Sequence, residues 1–324
     1  MTEILVADSV TRRFAPHISL GDRLAALLGV KMDRRAVQAV SDVSLSLHKG
    51  ETLGLVGESG CGKSTLGRIL AGILAPSEGR VLLEGAPPMQ GEYKVTTRIQ
   101  TVFQDPFASL NPRMRIGEAI AEGPIAHGFV SRAQAPALAA EWLARVGLDP
   151  AFAQRLPHQF SGGQRQRVAI ARALAMRPDV LICDEPVASL DVSIQAQILN
   201  LFLDLRQALG LTSLFISHDL SVVRHVSDRV AVMYLGRVVE LGASRQVYAD
   251  PRHPYTRALL DSVPRLAADE VSFRTIQGEL PSPLSPPSGC AFHPRCPKAT
   301  EVCRQERPLL IQRGDGALVA CHHP

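Results

Sequence analysis

Residues 57–65 constrain this chain more than any other stretch. They read GESGCGKST and fit the pattern G-x-x-x-x-G-K-[ST], opened by Gly57 and closed by Gly62, Lys63 and Ser64. The apolar run ETLGLV (51–56) leads into them as a buried strand. Leu66, Ile69, Leu70, Ile73 and Leu74 follow at helical spacing over 63–74. Strand, glycine-rich turn and helix in that order form a phosphate cradle. Glycines let the backbone turn tightly, so successive N–H groups point at phosphate oxygens. The helix that starts there adds a dipole that favours anions. Gly57, Glu58, Ser59, Gly60, Cys61, Gly62, Lys63, Ser64 and Thr65 are therefore expected to wrap the phosphates of a nucleotide. Lys63 supplies charge to the β- and γ-phosphates, and the Ser64 hydroxyl is a ligand for Mg2+.

The rest of the chain agrees with such a cradle. The apolar run VLIC (180–183) ends at Asp184 and Glu185. A carboxylate at the end of a buried strand is what a Mg2+ ion beside the cradle requires, so Asp184 joins Ser64 as an expected metal ligand. Glu185, one residue on, is placed to orient or deprotonate a water. Residues 192–209 carry Ile194, Ile198, Leu201, Phe202, Leu205 and Leu209 on one helical face, and Gly210 ends that helix. Residues 214–216 are another strand. Strands alternating with helices predict an α/β fold with a mainly parallel core sheet. Residues 105–175 are richer in helix signals, notably around Trp142, and read as an inserted helical subdomain. Residues 15–36 look like an insertion, with Leu20, Leu24, Leu27 and Leu28 at helical spacing. This spacing predicts a short amphipathic helix on the surface, with a partner-binding role as the alternative.

Charge narrows the partners. Against 35 basic residues stand 31 acidic ones, for a net charge of +4, too mild to imply nucleic acid. No run of about 18 apolar residues is present, so the chain is not expected to span a membrane alone. Its start, MTEILVADS, lacks the basic opening and apolar middle of a secretory signal, which predicts a cytoplasmic protein.

At residues 160–167, FSGGQRQR, the reading narrows further. With the cradle, this stretch resembles the signature motif of the ATP-binding cassette (ABC) ATPases. The other motifs of that family follow in order. Gln104 in VFQDP resembles the Q-loop, LICDEP resembles Walker B with its catalytic glutamate, SLD ending at Asp191 resembles the D-loop, and His218 in ISHD resembles the switch histidine. Phe14 stands where the family has an aromatic that stacks on adenine. The resemblance implies a P-loop NTPase fold in which two such domains close head to tail around ATP. It also implies that Glu185 and His218 are catalytic, with Gln104 linking Mg2+ to the helical subdomain. Ser161, Gly162, Gly163 and Gln164 would reach the γ-phosphate held by a partner domain, as helix N-termini hold anions.

Beyond residue 250 the composition changes. The stretch YADPRHPYTRALL (248–260) and a Pro-rich, Cys-containing tail resemble the C-terminal extension of oligopeptide/dipeptide transporter ATPases. This divides the chain into an ATPase domain, 1–250, and an extension, 251–324. The resemblance implies an ATP-hydrolysing importer subunit for di- or oligopeptides, or for nickel, glutathione or a peptide antibiotic. It implies a second ATPase subunit, a paralogue, with two transmembrane permeases and an extracytoplasmic solute-binding protein. It also implies a peripheral position on the cytoplasmic face of the inner membrane. A soluble, non-transport ABC ATPase would usually carry two cassettes or a long coiled coil, and neither is present. A redox-sensing metal module is the third reading.

That third reading rests on the cysteines. Four of six, Cys290, Cys296, Cys303 and Cys321, lie in the last 35 residues, among prolines at 281, 283, 286, 287, 294 and 297. Such a tail is not expected to form a long helix or a central strand. Structural zinc usually shows close C-x2–4-C pairs, absent here. Four thiolates on a loop-rich segment suit an iron–sulfur cluster, and the family resemblance points to 4Fe–4S. A mixed Cys/His zinc site with His293, His322 or His323 and a set of free thiols remain alternatives. The tail is poor in large apolar residues, so a metal is expected to supply much of its folding energy. Cys61 and Cys183 are assigned no redox role.

Overall fold

The strand that feeds the glycine-rich turn lies in the interior of a large sheet. A computed structural model describes residues 2–15, 35–105, 109–262, 276, 278–313 and 316–324. The expected helix over 15–36 lies outside these residues, apart from its ends. The main sheet has β3 (Thr52–Val56), β7 (Ile99–Val102), β8 (Val180–Asp184), β9 (Thr212–Ile216), β10 (Arg229–Tyr234), β11 (Arg237–Ala243), β12 (Ile311–Arg313) and β13 (Ala317–Val319). Its order is β12-β13-β11-β10-β3-β9-β8-β7. β10, β3, β9, β8 and β7 run parallel, and β11, β13 and β12 add antiparallel pairs at one border. The fold is thus α/β with a mainly parallel sheet. Every residue of β3, β8 and β9 is buried, which explains their unbroken apolar runs: a sheet covered on both faces has no polar side to alternate with.

One face is covered by α1 (Lys63–Leu70), which lies between this sheet and a smaller antiparallel one, β2-β1-β4. The small sheet comprises β1 (Glu3–Phe14), β2 (Val37–His48) and β4 (Glu78–Leu83). A minimal ribbon, β5 (Met89–Gln90) with β6 (Tyr93–Lys94), precedes β7. α1 is shorter than its apolar stripe predicts. Gly72 takes a left-handed conformation, φ 68°, and the N–H of Ile73 turns back to the Arg68 carbonyl at 2.9 Å, which closes the helix.

Between β7 and β8 the chain makes α2 (Ile116–Ala126), α3 (Ala135–Arg145) and α4 (Gly162–Ala175). They pack together around buried Ile120, Trp142, Leu143 and Val168. α5 (Val192–Leu209) ends, as its sequence predicts, at Gly210 with φ 61°. α6 (Leu220–Val226), α7 (Ser244–Ala249) and α8 (Pro254–Asp261) complete the cover.

The tail departs from the expectation of an irregular appendage. β13 pairs with β11, so the chain returns to the main sheet after its proline-rich stretch. All six prolines lie upstream of these strands, which leaves the ladder its N–H donors. The tail also has an apolar anchor of its own. Phe292 is fully buried against Tyr234 and Tyr255, with ring centroids 5.2 and 5.3 Å away. α9 (Glu301–Gln305) lies between the cysteines.

Candidate active site

Four adjacent parallel strands, β3, β9, β8 and β7, deliver their carboxyl ends to one rim, the position where open parallel sheets carry their sites. From β3 comes the glycine-rich turn. Gly57 and Gly62 are required by space as well as by backbone angle. A Cβ on Gly57 would lie 2.1 Å from the Met233 carbonyl oxygen, and one on Gly62 would lie 2.1 Å from that of Ala39. Their φ values, 157° and 105°, exclude ordinary side chains as well. Lys63 is buried, and its Nζ donates to the carbonyls of Gly57, at 2.7 Å, and Glu58, at 3.0 Å. The ammonium is thereby held inside the loop's curve. Ser59 and Gly60 are exposed at the crest, and Thr65 is half-buried in the first turn of α1. Burial pushes the Cys61 thiol up, so it stands as a neutral packing group.

From β8 come both carboxylates. Asp184 is buried, and its Oδ1 accepts a 2.8 Å hydrogen bond from Ser64 Oγ. The two expected Mg2+ ligands therefore already meet. Burial raises the Asp184 pKa above the usual carboxylate range, against the lowering effects of Ser64 and Arg68. A cation bound there would favour its ionised form. Glu185 follows in left-handed backbone, φ 48°, with its N–H donating to the Ile216 carbonyl at 3.0 Å. Its Oε2 accepts from Gln104 Nε2, just beyond β7, and pairs with His218 Nδ1, just beyond β9, both at 3.2 Å. Gln104, Glu185 and His218 are thus brought together from three separate strand ends. Beside them opens a cleft of about 750 Å³ lined by Ser64, Arg68, Gln104, Arg172, Met176 and Asp184.

The signature residues form a helix start. Ser161 caps α4, accepting from the Gln164 N–H at 3.3 Å, while the Gln164 side chain accepts from the Ser161 N–H at 3.0 Å. Gly163 permits close packing, since a Cβ there would lie 2.5 Å from Ile194 on α5; the same atom on Gly162 would meet Leu190 at 3.4 Å. Asp191 precedes α5 and is exposed. Phe14 ends β1 partly exposed, paired with Val37 on the strand whose Ala39 touches Gly62. The Arg12 guanidinium lies 4.8 Å from its ring centroid.

Glu58 is engaged differently from its neighbours in the loop. Its N–H donates to Tyr255 Oη at 2.9 Å, and its carboxylate is gripped by Arg295 from the tail. The sequence reading missed Arg295. Only its place beside Cys296 in HPRC marks it, and nothing in the spacing signals a contact 237 residues away.

Cys290, Cys296, Cys303 and Cys321 line a single small cavity of about 10 Å³ together with His253 and His293. Burial pushes the Cys290 thiol up to about 11 and raises Cys296 and Cys321 as well. Among the described residues no three His, Cys, Asp or Glu side chains are grouped to hold one metal ion. The zinc alternative, with or without His293, His322 and His323, is therefore not formed. His322 and His323 instead bond to the Glu306 carbonyl and Thr300 Oγ1.

Comparison with known proteins agrees with this geometry. Residues 40–188 match the family described as ABC transporter, and residues 239–303 match the oligopeptide/dipeptide transporter C-terminal region. The chain is 50% identical over 292 residues to the dipeptide transport ATP-binding protein DppF of Haemophilus influenzae, covering 89% of each. It is 52% identical over 294 residues to the oligopeptide transport ATP-binding protein AppF of Bacillus subtilis, covering 88% of this chain and 89% of that one. Among solved structures, an ATP-binding cassette captured as a dimer after hydrolysis, with ADP and Pi, aligns at a TM-score of 0.61 and 28% identity. That alignment covers 75% of this chain and 99% of the other.

Proposed function

Because this chain belongs to the ABC transporter family of ATP-binding proteins, with the oligopeptide/dipeptide type of C-terminal region, we propose that it is the ATP-hydrolysing subunit of a di- or oligopeptide importer. The observation that carries this reading is the meeting of Ser64 with Asp184, and of Glu185 with Gln104 and His218, on one rim of the sheet. Lys63 and the loop's N–H groups hold the phosphates. Ser64, Asp184 and Gln104 hold Mg2+, which when bound neutralises charge building on the phosphate oxygens. Glu185 takes the proton of the attacking water, and His218 fixes that carboxylate and contacts the γ-phosphate. Phe14 offers a ring face to adenine. Ser161, Gly162, Gly163, Gln164 and Asp191 serve the site of a partner ATPase, so a lone copy leaves the site incomplete.

The partners are a second, paralogous ATPase subunit, two transmembrane permeases and an extracytoplasmic solute-binding protein. No helix among the described residues is long and apolar enough to cross a membrane, and the permeases would hold this subunit at the inner face. For the tail we retain the 4Fe–4S reading. Four thiols facing one cavity, with no single-ion grouping, support a polynuclear centre over one zinc. The four cysteines would hold it and must lose their protons to do so. Brown, iron-containing protein after anaerobic purification is expected; metal-free or zinc-containing protein overturns it.

The substitution Lys63→Ala tests the main reading. Losing a charge-assisted phosphate contact should weaken ATP affinity by roughly 10- to 100-fold in calorimetry. Dipeptide uptake by cells carrying the assembled importer should fall with it. Wild-type affinity in this variant would overturn the nucleotide site. An assembled complex that turns over ATP but takes up no peptide would overturn the substrate class.

A further inference from the structure

The bond between Glu58 and Arg295 joins the phosphate-binding loop to the cysteine tail. Arg295 Nη1 donates to Glu58 Oε2 at 2.7 Å, and Nη2 donates to Oε1 at 2.9 Å. This is a two-pronged guanidinium–carboxylate pair, the geometry that fixes position as well as charge. It is largely withdrawn from water: the Arg295 side chain is 5% exposed and that of Glu58 26%. A buried arginine deprived of its partner is costly, so the pair resists opening.

The pair is embedded in a continuous body. Arg295 Nη1 also reaches Tyr234 Oη at 3.5 Å, and Phe292, three residues earlier, packs on Tyr234 and Tyr255. Tyr255 Oη accepts the Glu58 N–H. Glu58 is therefore held at its backbone by α8 and at its carboxylate by the tail. The other face of the loop is fixed by the same strand: the Met233 carbonyl lies against Gly57, and the Gly236 N–H donates to the Cys61 carbonyl at 2.8 Å. Lys63 binds the carbonyl of Glu58 itself, so the curve that holds the ammonium passes through the clamped residue.

We propose that Arg295 is a positioning residue for the nucleotide site: through Glu58 it holds the phosphate-binding loop in its binding-competent curve, so that order in the tail and ATP affinity are thermodynamically linked. Arg295 follows His293 and Pro294 in one tight turn and is bonded next to Cys296, which lines the cysteine cavity. Loosening that turn withdraws the arginine from the loop. Linkage is reciprocal, so ATP must tighten the tail by the factor by which the tail tightens ATP.

This inference rests on the loop binding ATP, and the experiment separates the two. ATP·Mg2+ affinity is measured by calorimetry on the full chain, wild type and variants. Arg295→Met keeps the apolar stem and is expected to weaken ATP by about tenfold, within the usual span of coupling between sites. Glu58→Gln with Arg295→Met is expected to lose no more than the single variants, because both remove one link. Arg295→Lys, which keeps the charge without the fork, is expected to recover part of the loss. If the variants do not fold, hydrogen exchange on the wild-type chain decides: ATP should slow exchange over residues 290–303. Wild-type protein that fails to bind ATP would overturn the nucleotide site itself. Wild-type protein that binds ATP, with folded Arg295→Met binding equally well or with residues 290–303 indifferent to ATP, would overturn the link alone.

Discussion

Glu185 occupies backbone that most side chains avoid. A left-handed conformation costs a non-glycine residue on the order of 1 kcal/mol or more, and it persists here because the Ile216 carbonyl fixes the N–H. What the strain achieves is direction: the carboxylate meets Gln104 and His218 and not its neighbour Asp184. Glu185→Gln keeps shape and hydrogen bonding but removes the base. Hydrolysis in the assembled complex should fall by about 10²-fold or more, with ATP affinity retained. Single-turnover assays alongside nucleotide binding test this, and unchanged turnover would remove Glu185 from the role. At this scale the sequence was informative wherever chemistry dictates spacing. Lys63, Ser64, Asp184, Glu185, Gln104 and His218 sit in short motifs whose local order is the message. Arg295 was illegible because its partner is distant in the chain, and a lone arginine in a turn has no pattern to betray it.

Helices and strands were legible where periodicity continued to a breaker. α5 stops at Gly210 for that reason, and α1 stops early because Gly72 overrides the stripe that runs on to Leu74. The ribbon ahead of β7 left no such trace, since two-residue strands have no period to read. Yet it positions Lys94, whose Nζ donates to the Ile99 carbonyl of β7 at 2.5 Å. Burial lowers the Lys94 pKa to about 8, against about 10.4 in an unfolded chain. The sign follows from proton uptake: between these values the unfolded chain binds the extra proton. Stability is therefore reduced below pH 8 and recovered as pH rises toward 10.4. Arg68, Arg172, His127, Asp105 and Asp184 line the same cleft and share its field. Urea unfolding should show wild type gaining about 1–2 kcal/mol more than Lys94→Met between pH 8 and pH 10. Parallel pH profiles for the two proteins would refute the assignment.

On the scale of the whole molecule, the tail is continuous with the core and not appended to it. Composition suggested the opposite, because proline density reads as looseness, whereas the pairing of β13 with β11 and the burial of Phe292 depend on residues far apart. Phe292→Ala should lower unfolding free energy by about 3–5 kcal/mol, in one transition shared by tail and core. Calorimetry resolving two transitions, with the larger unmoved, would instead make the tail independent. The same return of the chain determines how the main sheet ends. One border is β12, three residues long, and the other is β7, four residues long, where Lys94 occupies the Ile99 carbonyl. Neither border offers a long row of unpaired backbone groups, the template on which sheets of neighbouring molecules polymerise. Copies of this chain can therefore crowd together at high local concentration without zipping into fibrils through their sheets.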